Sequence, residues 1–330
     1  MRYVSSPFTR RRVLGAAAGA ASPATALRFA WGQAYPSRIV HIIVGFGAGG
    51  APDIFARLIG QWLSERLGQQ FIVENRPGAS GNIATEAVVR APPDGHTLLL
   101  VATPSAVNAT LYDNLGYDFS RDIAPVAGIS REPLGMELYP PFPARSVPDF
   151  IAYAKANPGK ISYASAGNGS SLHLAAELFK IMAGVEMVHV PYRSSAAALV
   201  DLLGGQVQMM FCPLPSSIEY VRNGKLRVLA TTGAVRASAL PDAPIVADFL
   251  PGYEVSAWYG VCAPRNTRIE VIDKLNQEIN AGLADPKIAA RLAQLGSSPF
   301  AVTPADFGKH IAEQTEKWRT VIKAAHIKPD

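Results

Sequence analysis

The chain has 330 residues, of which 48% are hydrophobic and 17% are charged, enough to bury one or two sizeable cores. This composition excludes a disordered chain, a collagen-like chain and a disulfide-rich scaffold, since the only cysteines are Cys212 and Cys262. Residues 1–34 hold five arginines and no acidic residue, and removing those five leaves 26 basic against 26 acidic residues. A neutral domain has no bulk field that attracts DNA or RNA, so no nucleic-acid partner is expected.

The first 34 residues have the features of an export signal. Arg10-Arg11-Arg12 precede an alanine-rich apolar stretch, and Gly32-Gln33-Ala34 offers a cleavage site. Paired arginines before Val13-Leu14 resemble a twin-arginine signal, which exports folded proteins. A short membrane anchor is the alternative, but the apolar run is interrupted and shorter than the roughly 20 residues of a spanning helix. The sequence therefore predicts a periplasmic protein whose mature chain is not inserted in the membrane. In that compartment a disulfide between the two cysteines is possible, and its presence is left open.

Beyond residue 35, β-branched runs alternate with apolar residues at helical spacing. Predicted strands lie at 39–44, 70–74, 97–101, 161–164, 187–190, 207–211, 226–230 and 254–261. Predicted helices lie at 54–63 (ending at Gly68), 83–90, 172–182, 196–203, 218–222, 269–283 and 304–325. This alternation predicts an α/β fold in which mostly parallel sheets are flanked by helices.

Two crossings divide the mature chain into lobes. Residues 138–143 contain Pro140, Pro141 and Pro143, which remove too many backbone donors for a central strand or a helix. A second crossing follows Pro251-Gly252. The predicted lobe 1 is 35–137 plus 259–330, and the predicted lobe 2 is 138–258. Two crossings would allow the lobes to hinge while each keeps its own fold.

A glycine-rich loop follows the first predicted strand. Gly45-Phe46-Gly47-Ala48-Gly49-Gly50 matches G-x-G-x-x-G, and Glu74 ends the next strand, as in a dinucleotide-binding fingerprint. Two observations argue against that interpretation. Export takes the protein away from the nicotinamide cofactors of the cytoplasm, and the negative charge of Asp53 would face a bound pyrophosphate. Backbone amides at a helix start can equally hold a carboxylate, and a purely structural turn is a third possibility.

A second candidate loop is Ser165-Ala166-Gly167-Asn168-Gly169-Ser170-Ser171, between a strand and a helix. Its small residues leave amides accessible and its hydroxyls add donors, while Ser170 is also a good helix N-cap. Both loops follow strands, at the strand ends where open α/β sheets bind ligands.

Catalytic and metal-binding motifs are missing from the sequence. There is no G-x-S-x-G elbow, no C-x-x-C, and no zinc spacing among the histidines. Asp113 and Asp118 lie in a polar segment that is typical of solvated carboxylates. We therefore expect no catalytic nucleophile, no metal and no cofactor.

Several segments of the mature chain resemble the Bug receptors, the periplasmic solute-binding proteins of tripartite tricarboxylate transporters. The likeness covers essentially the whole mature chain. The matching segments are residues 35–36, 44–53, 73–79, 93–98, 111–112, 154–160, 165–174, 189–192, 201–207 and 236–242.

The resemblance implies a two-lobed, type II-like periplasmic binding protein that closes on a small carboxylate. It also implies membrane transporter subunits as partners, a monomer, and no enzymatic activity. Family members pinch one carboxylate between the two loops, a third loop adds side chains, and Arg193 joins the second-lobe side. The ligand-binding residues expected here are Phe46, Gly47, Ala48, Gly49, Gly50, Thr103, Ser105, Ser165, Asn168, Gly169, Ser170, Ser171, His173 and Tyr192.

The chain departs from the family pattern at a few positions. Gly45 replaces a proline, Gly47-Ala48 replaces Ala-Pro, Cys212 replaces an aspartate, and Ser194 replaces a glycine. The ligand class is therefore not carried over, and mono-, di- and tricarboxylates, amino acids and aromatic acids all stay open. The alternative function is an exported nicotinamide-dependent oxidoreductase that uses residues 45–50.

Overall fold

The structure is a computed structural model that describes residues 35–112, 114–325 and 327–328. The predicted export signal, Asp113 and His326 lie outside the described residues. The described chain from residue 35 onward forms one compact unit.

The strands of the described chain are short, with one exception of 16 residues. They are β1 (Val40–Val44), β2 (Phe71–Asn75), β3 (Thr97–Ala102), β4 (Ile123–Leu138), β5 (Ser162–Ser165), β6 (Val188–Pro191), β7 (Met209–Pro213), β8 (Arg227–Thr231), β9 (Ser256–Pro264) and β10 (Ser298–Pro299).

Helices separate most of these strands. They are α1 (Ala51–Leu67), α2 (Asn82–Val89), α3 (Thr103–Leu111), α4 (Phe119–Asp122), α5 (Val147–Ala156), α6 (Ser171–Ala183), α7 (Ser195–Leu203), α8 (Leu214–Arg222), α9 (Ile269–Ala284), α10 (Pro286–Gln294) and α11 (Pro304–Ala324). Gly68 ends α1 in the left-handed region with φ 70°, as its position predicted.

Two sheets meet at β4. In the first sheet, β1 pairs in parallel with β2 and β3, and β9 joins antiparallel to both β3 and β4. In the second sheet, β5 pairs in parallel with β6 and β7, while β7 and β8 lie antiparallel to β4. We call the part built on the first sheet lobe 1 and the part built on the second sheet lobe 2.

The predicted α/β fold with two lobes is confirmed, and both sheets are mixed. Parallel pairs come from the strand–helix–strand units, whereas β4 and β9 carry the chain between lobes in opposite directions and pair antiparallel. The partners of β4 change from β9 to β7 and β8 between Pro133 and Leu134. The boundaries at 138 and 258, and a hinge at them, stay predictions.

The long strand β4 is the main element that the sequence analysis missed. It contains Pro125 and Pro133, which argue against a central strand. The register with β9 shifts next to Pro125 and again between Gly128 and Ser130, so irregular pairing accommodates the missing donor.

Helices α3, α5 and α10 also went unpredicted, and each has a proline in its first two positions, where the absent amide costs nothing.

Both cysteines are buried and free, so no disulfide joins them. Cys262 lies on β9 in lobe 1, and Cys212 lies on β7 in lobe 2. Burial raises the pKa of both thiols.

Two carboxyl groups are buried on β4, on either side of the change of partners. Glu132 accepts a hydrogen bond from the Ser297 hydroxyl at 2.6 Å, and Glu137 accepts one from the Ser217 hydroxyl at 2.6 Å. Burial raises the pKa of each carboxyl to about 8. Because the raised pKa favours the protonated form, each group stabilises the fold at low pH, and that contribution is lost between pH 4.5 and 8.

We therefore expect Glu137→Gln to gain stability relative to the native protein as the pH rises. The amide of glutamine cannot ionise, so the melting temperature of the variant should rise relative to that of the native protein between pH 5 and pH 8. Differential scanning calorimetry over that range measures it. Glu186→Gln, at an exposed glutamate, is the matched control and should follow the native curve at a constant offset. A constant offset for Glu137→Gln as well would contradict the expectation.

Candidate functional site

Two cavities that share walls at Phe46 and Ala166 lie between the lobes. The outer cavity has a volume of about 490 Å³ and the inner one about 20 Å³, room for one water or one carboxylate oxygen. The outer cavity is lined by Gly45, Phe46, Gly78, Ala79, Ser80, Ala166, Gly167, Pro191, Tyr192, Arg193 and Ala197. The inner cavity is lined by Phe46, Pro52, Ala102, Pro104, Ala166, Ser170, Ser171, Leu172, Ser195, Pro213 and Tyr259.

Five helices begin at the inner cavity. Its walls include the second residue of α1, the cap and second residue of α3, the start of α6, the first residue of α7 and the cap of α8. The first amides of a helix lack intrahelical partners, and the aligned peptide dipoles give that end a partial positive charge. No charged side chain is among the residues that line the inner cavity. Any attraction of this cavity for an anion must therefore come from the helix dipoles and from the free amides at these starts, to which Pro52, Pro104 and Pro213 contribute none.

Two hydroxyls at the same place have no hydrogen-bond partner in the described chain. They are Oγ of Ser195, which is 4% exposed and lines the inner cavity, and Oγ1 of Thr103, which is 1% exposed. A buried hydroxyl without a hydrogen-bond partner destabilises the folded state, so each of these two hydroxyls can still donate a hydrogen bond to a ligand. The ring of Tyr259 forms another wall, and burial together with the nearby Glu132 carboxyl raises the pKa of its hydroxyl well above the usual range.

Residues 45–50, the first loop, are fixed by a network behind them. Oδ2 of Asp53 accepts hydrogen bonds from the Gly49 amide and the Arg57 side chain, both at 3.0 Å. The amide group of Asn75 donates to the Phe46 carbonyl at 3.0 Å. Burial works to raise the pKa of Asp53, but the hydrogen bonds outweigh it and leave the pKa lowered, so the group stays charged.

This network disfavours the dinucleotide interpretation. The Asp53 carboxylate takes the Gly49 amide that a pyrophosphate would need. Glu74 is also engaged, with His41 at 2.5 Å and Arg76 at 2.7 Å, rather than directed at a ribose site.

Residues 165–171, the second loop, are held by hydrogen bonds within lobe 2. The Ser165 hydroxyl lies 2.6 Å from Nε2 of His189 and accepts from the Gly167 amide at 3.1 Å. The Gly169 amide donates to Nδ1 of His173 at 3.2 Å, and Ser170 caps α6 as predicted. The two imidazoles stack with centroids 3.9 Å apart. Burial lowers the pKa of His173 to about 4 and of His189 to about 3, so both are neutral near pH 7.

The lobes touch directly around the cavities. The Ser80 hydroxyl in lobe 1 donates to the Asn168 carbonyl in lobe 2 at 2.5 Å. Ser80 and its neighbour Ala79 have φ of 50° and 46°, strained values that are found at functional sites. A Cβ at Gly47 would lie 3.1 Å from Cβ of Ser194, and one at Gly50 would lie 2.9 Å from Oγ of Ser195. A side chain at either position would push against the start of α7, so glycine favours the close approach of the first loop.

The structure brings part of the predicted set to the cavities. Phe46, Ser170, Ser171 and Tyr192 line them. The others lie in the two loops or in the first turns of α3 and α6 and do not line a cavity. They are Gly47, Ala48, Gly49, Gly50, Thr103, Ser105, Ser165, Asn168, Gly169 and His173. The amides of Gly49 and Gly169 already donate to side chains of the helices that follow their loops, namely Asp53 and His173.

Other lining residues were not predicted from the sequence. The turn at Gly78–Ser80 is marked by Pro77-Gly78, but a turn motif does not reveal that it faces lobe 2. Ser195 lies one residue beyond the helix cap at Ser194, a position that could have been flagged. Pro213 and Tyr259 carry no motif and reach the site only through the sheet order.

We expect Gly47→Ala to weaken ligand binding by hindering closure. The added methyl would lie 3.1 Å from Ser194 Cβ, and such overpacking costs about 1–3 kcal/mol. Isothermal titration calorimetry with a carboxylate that the native protein binds should show a roughly five- to hundredfold loss of affinity. The double variant Gly47→Ala/Ser194→Gly removes the clashing Cβ and should recover part of that loss. No loss in the single variant would show that the lobes do not meet here in the bound state.

Comparisons with known proteins agree with this architecture. The family model described as "Tripartite tricarboxylate transporter family receptor" matches residues 55–327. Protein BugT of Bordetella pertussis is 34% identical over 316 residues, which is 95% of each chain. Among solved structures, Rpa4515 of R. palustris with adipate is 38% identical, with a TM-score of 0.87 over 90% of this chain and 100% of that one. MatC of Rhodopseudomonas palustris with bound malate is 30% identical, with a TM-score of 0.83 over 87% and 100%.

Within the described residues, no helix is long and apolar enough to cross a membrane, and no group of three or more His, Cys, Asp and Glu side chains could hold a metal ion. The matched family and the similar structures are solute-binding proteins, and the oxidoreductase alternative finds no support among them. The chain belongs to the tripartite tricarboxylate transporter receptor family and is a solute-binding protein of the Bug type.

Proposed function

We propose that this protein is an extracytoplasmic receptor that captures a small carboxylate between its lobes and delivers it to the membrane subunits of a tripartite transporter. The observation that carries the proposal is the start of five helices around one inner cavity without a charged side chain. Such a site attracts an anion while leaving no fixed charge that would have to be neutralised when the site is empty. The adipate and malate in the related structures are carboxylates, which supports this ligand class.

In the proposed complex, the carboxylate sits where the two cavities share Phe46 and Ala166. One oxygen is directed into the inner cavity, toward the starts of the helices and the unpartnered hydroxyls of Ser195 and Thr103. The amides of the first and second loops that are not used internally, together with ordered water, complete the shell. The rest of the ligand occupies the outer cavity.

The protein is proposed to act as a monomer, without turnover or a cofactor. Closure about crossings near residues 138 and 258 would trap the ligand. The first loop lies in lobe 1 and the second loop in lobe 2, so the two must meet to enclose it. The Ser80–Asn168 hydrogen bond is one of the contacts that closure makes. A membrane partner would then recognise the closed arrangement of the two lobe surfaces.

A binding screen tests the ligand class and the inner cavity together. A thermal-shift series of mono-, di- and tricarboxylates, amino acids and aromatic acids should yield at least one stabilising acid, by roughly 2.7 kcal/mol at 100 times its dissociation constant. Ser195→Ala should weaken that acid roughly ten- to hundredfold, since a hydrogen bond to a charged group is worth about 1.5–3 kcal/mol. Glu74→Ala, on β2, is the control and should bind normally. Equal losses in both variants, or no stabilising acid, would count against the proposal.

Export is part of the proposed function, because a receptor must meet its ligand outside the cytoplasm. Arg10-Arg11 before Val13-Leu14 supports the twin-arginine route. Replacing both arginines with lysine should leave the full-length precursor in the cytoplasm, as cell fractionation and immunoblotting would show. Lysine at Arg2 and Arg28 is the matched control and should not block export. If the Arg10/Arg11 double variant is exported as before, the pathway is wrong although the compartment stands.

A further inference from the structure

A third cavity lies against α11, where β4 and β9 run side by side near the point at which β4 changes partners. Its volume is about 90 Å³, room for a few water molecules or one small oxyanion. We call it the junction cavity. It is lined by Arg131, Glu254, Ser256, Trp258, His310, Gln314 and Lys317, and none of these residues lines either cavity between the lobes.

The first sheet separates the junction cavity from the inner cavity. Trp258 on β9 pairs directly with Arg131 on β4, so their side chains share one face of the sheet. Tyr259, the next residue, lines the inner cavity, and successive residues of a strand face opposite sides. The three lining residues of α11 follow at spacings i, i+4 and i+7, which puts them on one face of that helix. The junction cavity is therefore a separate site, built from a strand pair and one helix.

Two buried donors in this lining have no hydrogen-bond partner in the described chain. One is Nε1 of Trp258, a residue that is 1% exposed. The other is on His310, whose Nδ1 lies 3.0 Å from Nη2 of Arg131 and must accept, because a guanidinium only donates. The proton of the neutral ring is then on Nε2, which is buried without a partner. Burial, together with Arg131 and Lys317, lowers the pKa of His310 to about 4, so the ring is neutral near pH 7.

Two positive side chains in the same lining lack a counter-ion. Neither Arg131 nor Lys317 has a carboxylate within ion-pair distance among the residues that the structure describes. The Arg131 guanidinium lies 3.6 Å from the centre of the Phe300 ring, and Nζ of Lys317 donates to the Glu254 backbone carbonyl at 3.5 Å. The exposed Glu254 is the one acidic residue of the lining. A buried donor without an acceptor destabilises the fold, so a ligand that supplies acceptors and negative charge is favoured here.

We propose that the junction cavity binds a small tetrahedral oxyanion that carries two negative charges, the chemistry that phosphate and sulfate share. Two charges match Arg131 and Lys317, and the planar guanidinium can hold two oxygens of such an anion. The donors come from β4, β9 and α11, and this spread suits a tetrahedral set of acceptors better than a flat carboxylate. The site differs in position and in ligand from the proposed carboxylate site between the lobes.

The indole N–H signals of the tryptophans report on this site directly. In a two-dimensional ¹⁵N–¹H spectrum at pH 7, titration with sodium phosphate in chloride buffer should shift the Trp258 signal until it saturates. Trp258→Phe removes that signal and so assigns it. The Trp62 indole, which already donates to the Glu278 carbonyl at 2.8 Å, is the internal control and should stay in place. Sulfate should reproduce the shift, and acetate at the same concentration should not.

Removal of one cation tests the match of charges. Lys317→Gln should weaken phosphate binding roughly fivefold or more, because one of the two positive charges is gone. Lys317 is exposed, so the variant should fold, and an unchanged melting temperature in chloride buffer would show this. Lys309→Gln, on the same helix but paired with Glu313, is the matched control and should titrate as the native protein does.

The proposal is wrong if phosphate leaves the Trp258 signal unshifted, if acetate shifts it equally, or if Lys317→Gln titrates like the native protein. It is also wrong if Ser195→Ala abolishes the phosphate response, since the anion would then be bound between the lobes. None of these results bears on the capture of a carboxylate, which the thermal-shift screen tests separately.

Discussion

Close approach of backbone from two lobes is the constraint on which this structure depends. The proposed anion site, made of helix starts, works only if the first loop, the second loop and the start of α7 come within a few ångströms of one another. Side chains would prevent that, and the positions facing α7 are accordingly Gly47 and Gly50. Hydrogen bonds to each loop, such as the one that the Gly49 amide donates to Asp53, hold its shape before any ligand arrives. Preorganisation of this kind lowers the entropy that binding must overcome.

The same constraint explains how the lobes are joined. β4 runs through both sheets, and β9 returns beside it, so the connection is a pair of antiparallel strands rather than two loose linkers. Prolines and shifts of register interrupt the regular pairing of β4, which gives that strand places to bend. Two buried carboxyl groups flank the change of partners, and their raised pKa values keep charge out of this region at neutral pH.

In the proposed complex, recognition is divided between backbone at the inner cavity and side chains at the outer cavity. The inner cavity uses helix starts, which depend on the fold rather than on the identity of any one residue. The outer cavity depends on side chains, with Arg193 as its charge and a wall of small residues as its apolar part. In that complex, changes of a few outer side chains would alter which acid is bound without disturbing how its carboxylate is held at the inner cavity.

By itself, the sequence determined the α/β class, most strands and helices, the two glycine-rich loops and the cap at Ser170, because these follow from local periodicity and turn chemistry. It did not predict β4, whose prolines argue locally against a strand that long-range pairing with β7, β8 and β9 makes stable. It left the dinucleotide fingerprint open, because spacing cannot show that Asp53 occupies the Gly49 amide. Pro213 and Tyr259 were brought to the cavity by tertiary structure alone. Residues more than 100 positions apart, such as Pro52 and Tyr259, become neighbours only when strand order places their elements at one cleft, and no local pattern encodes that order.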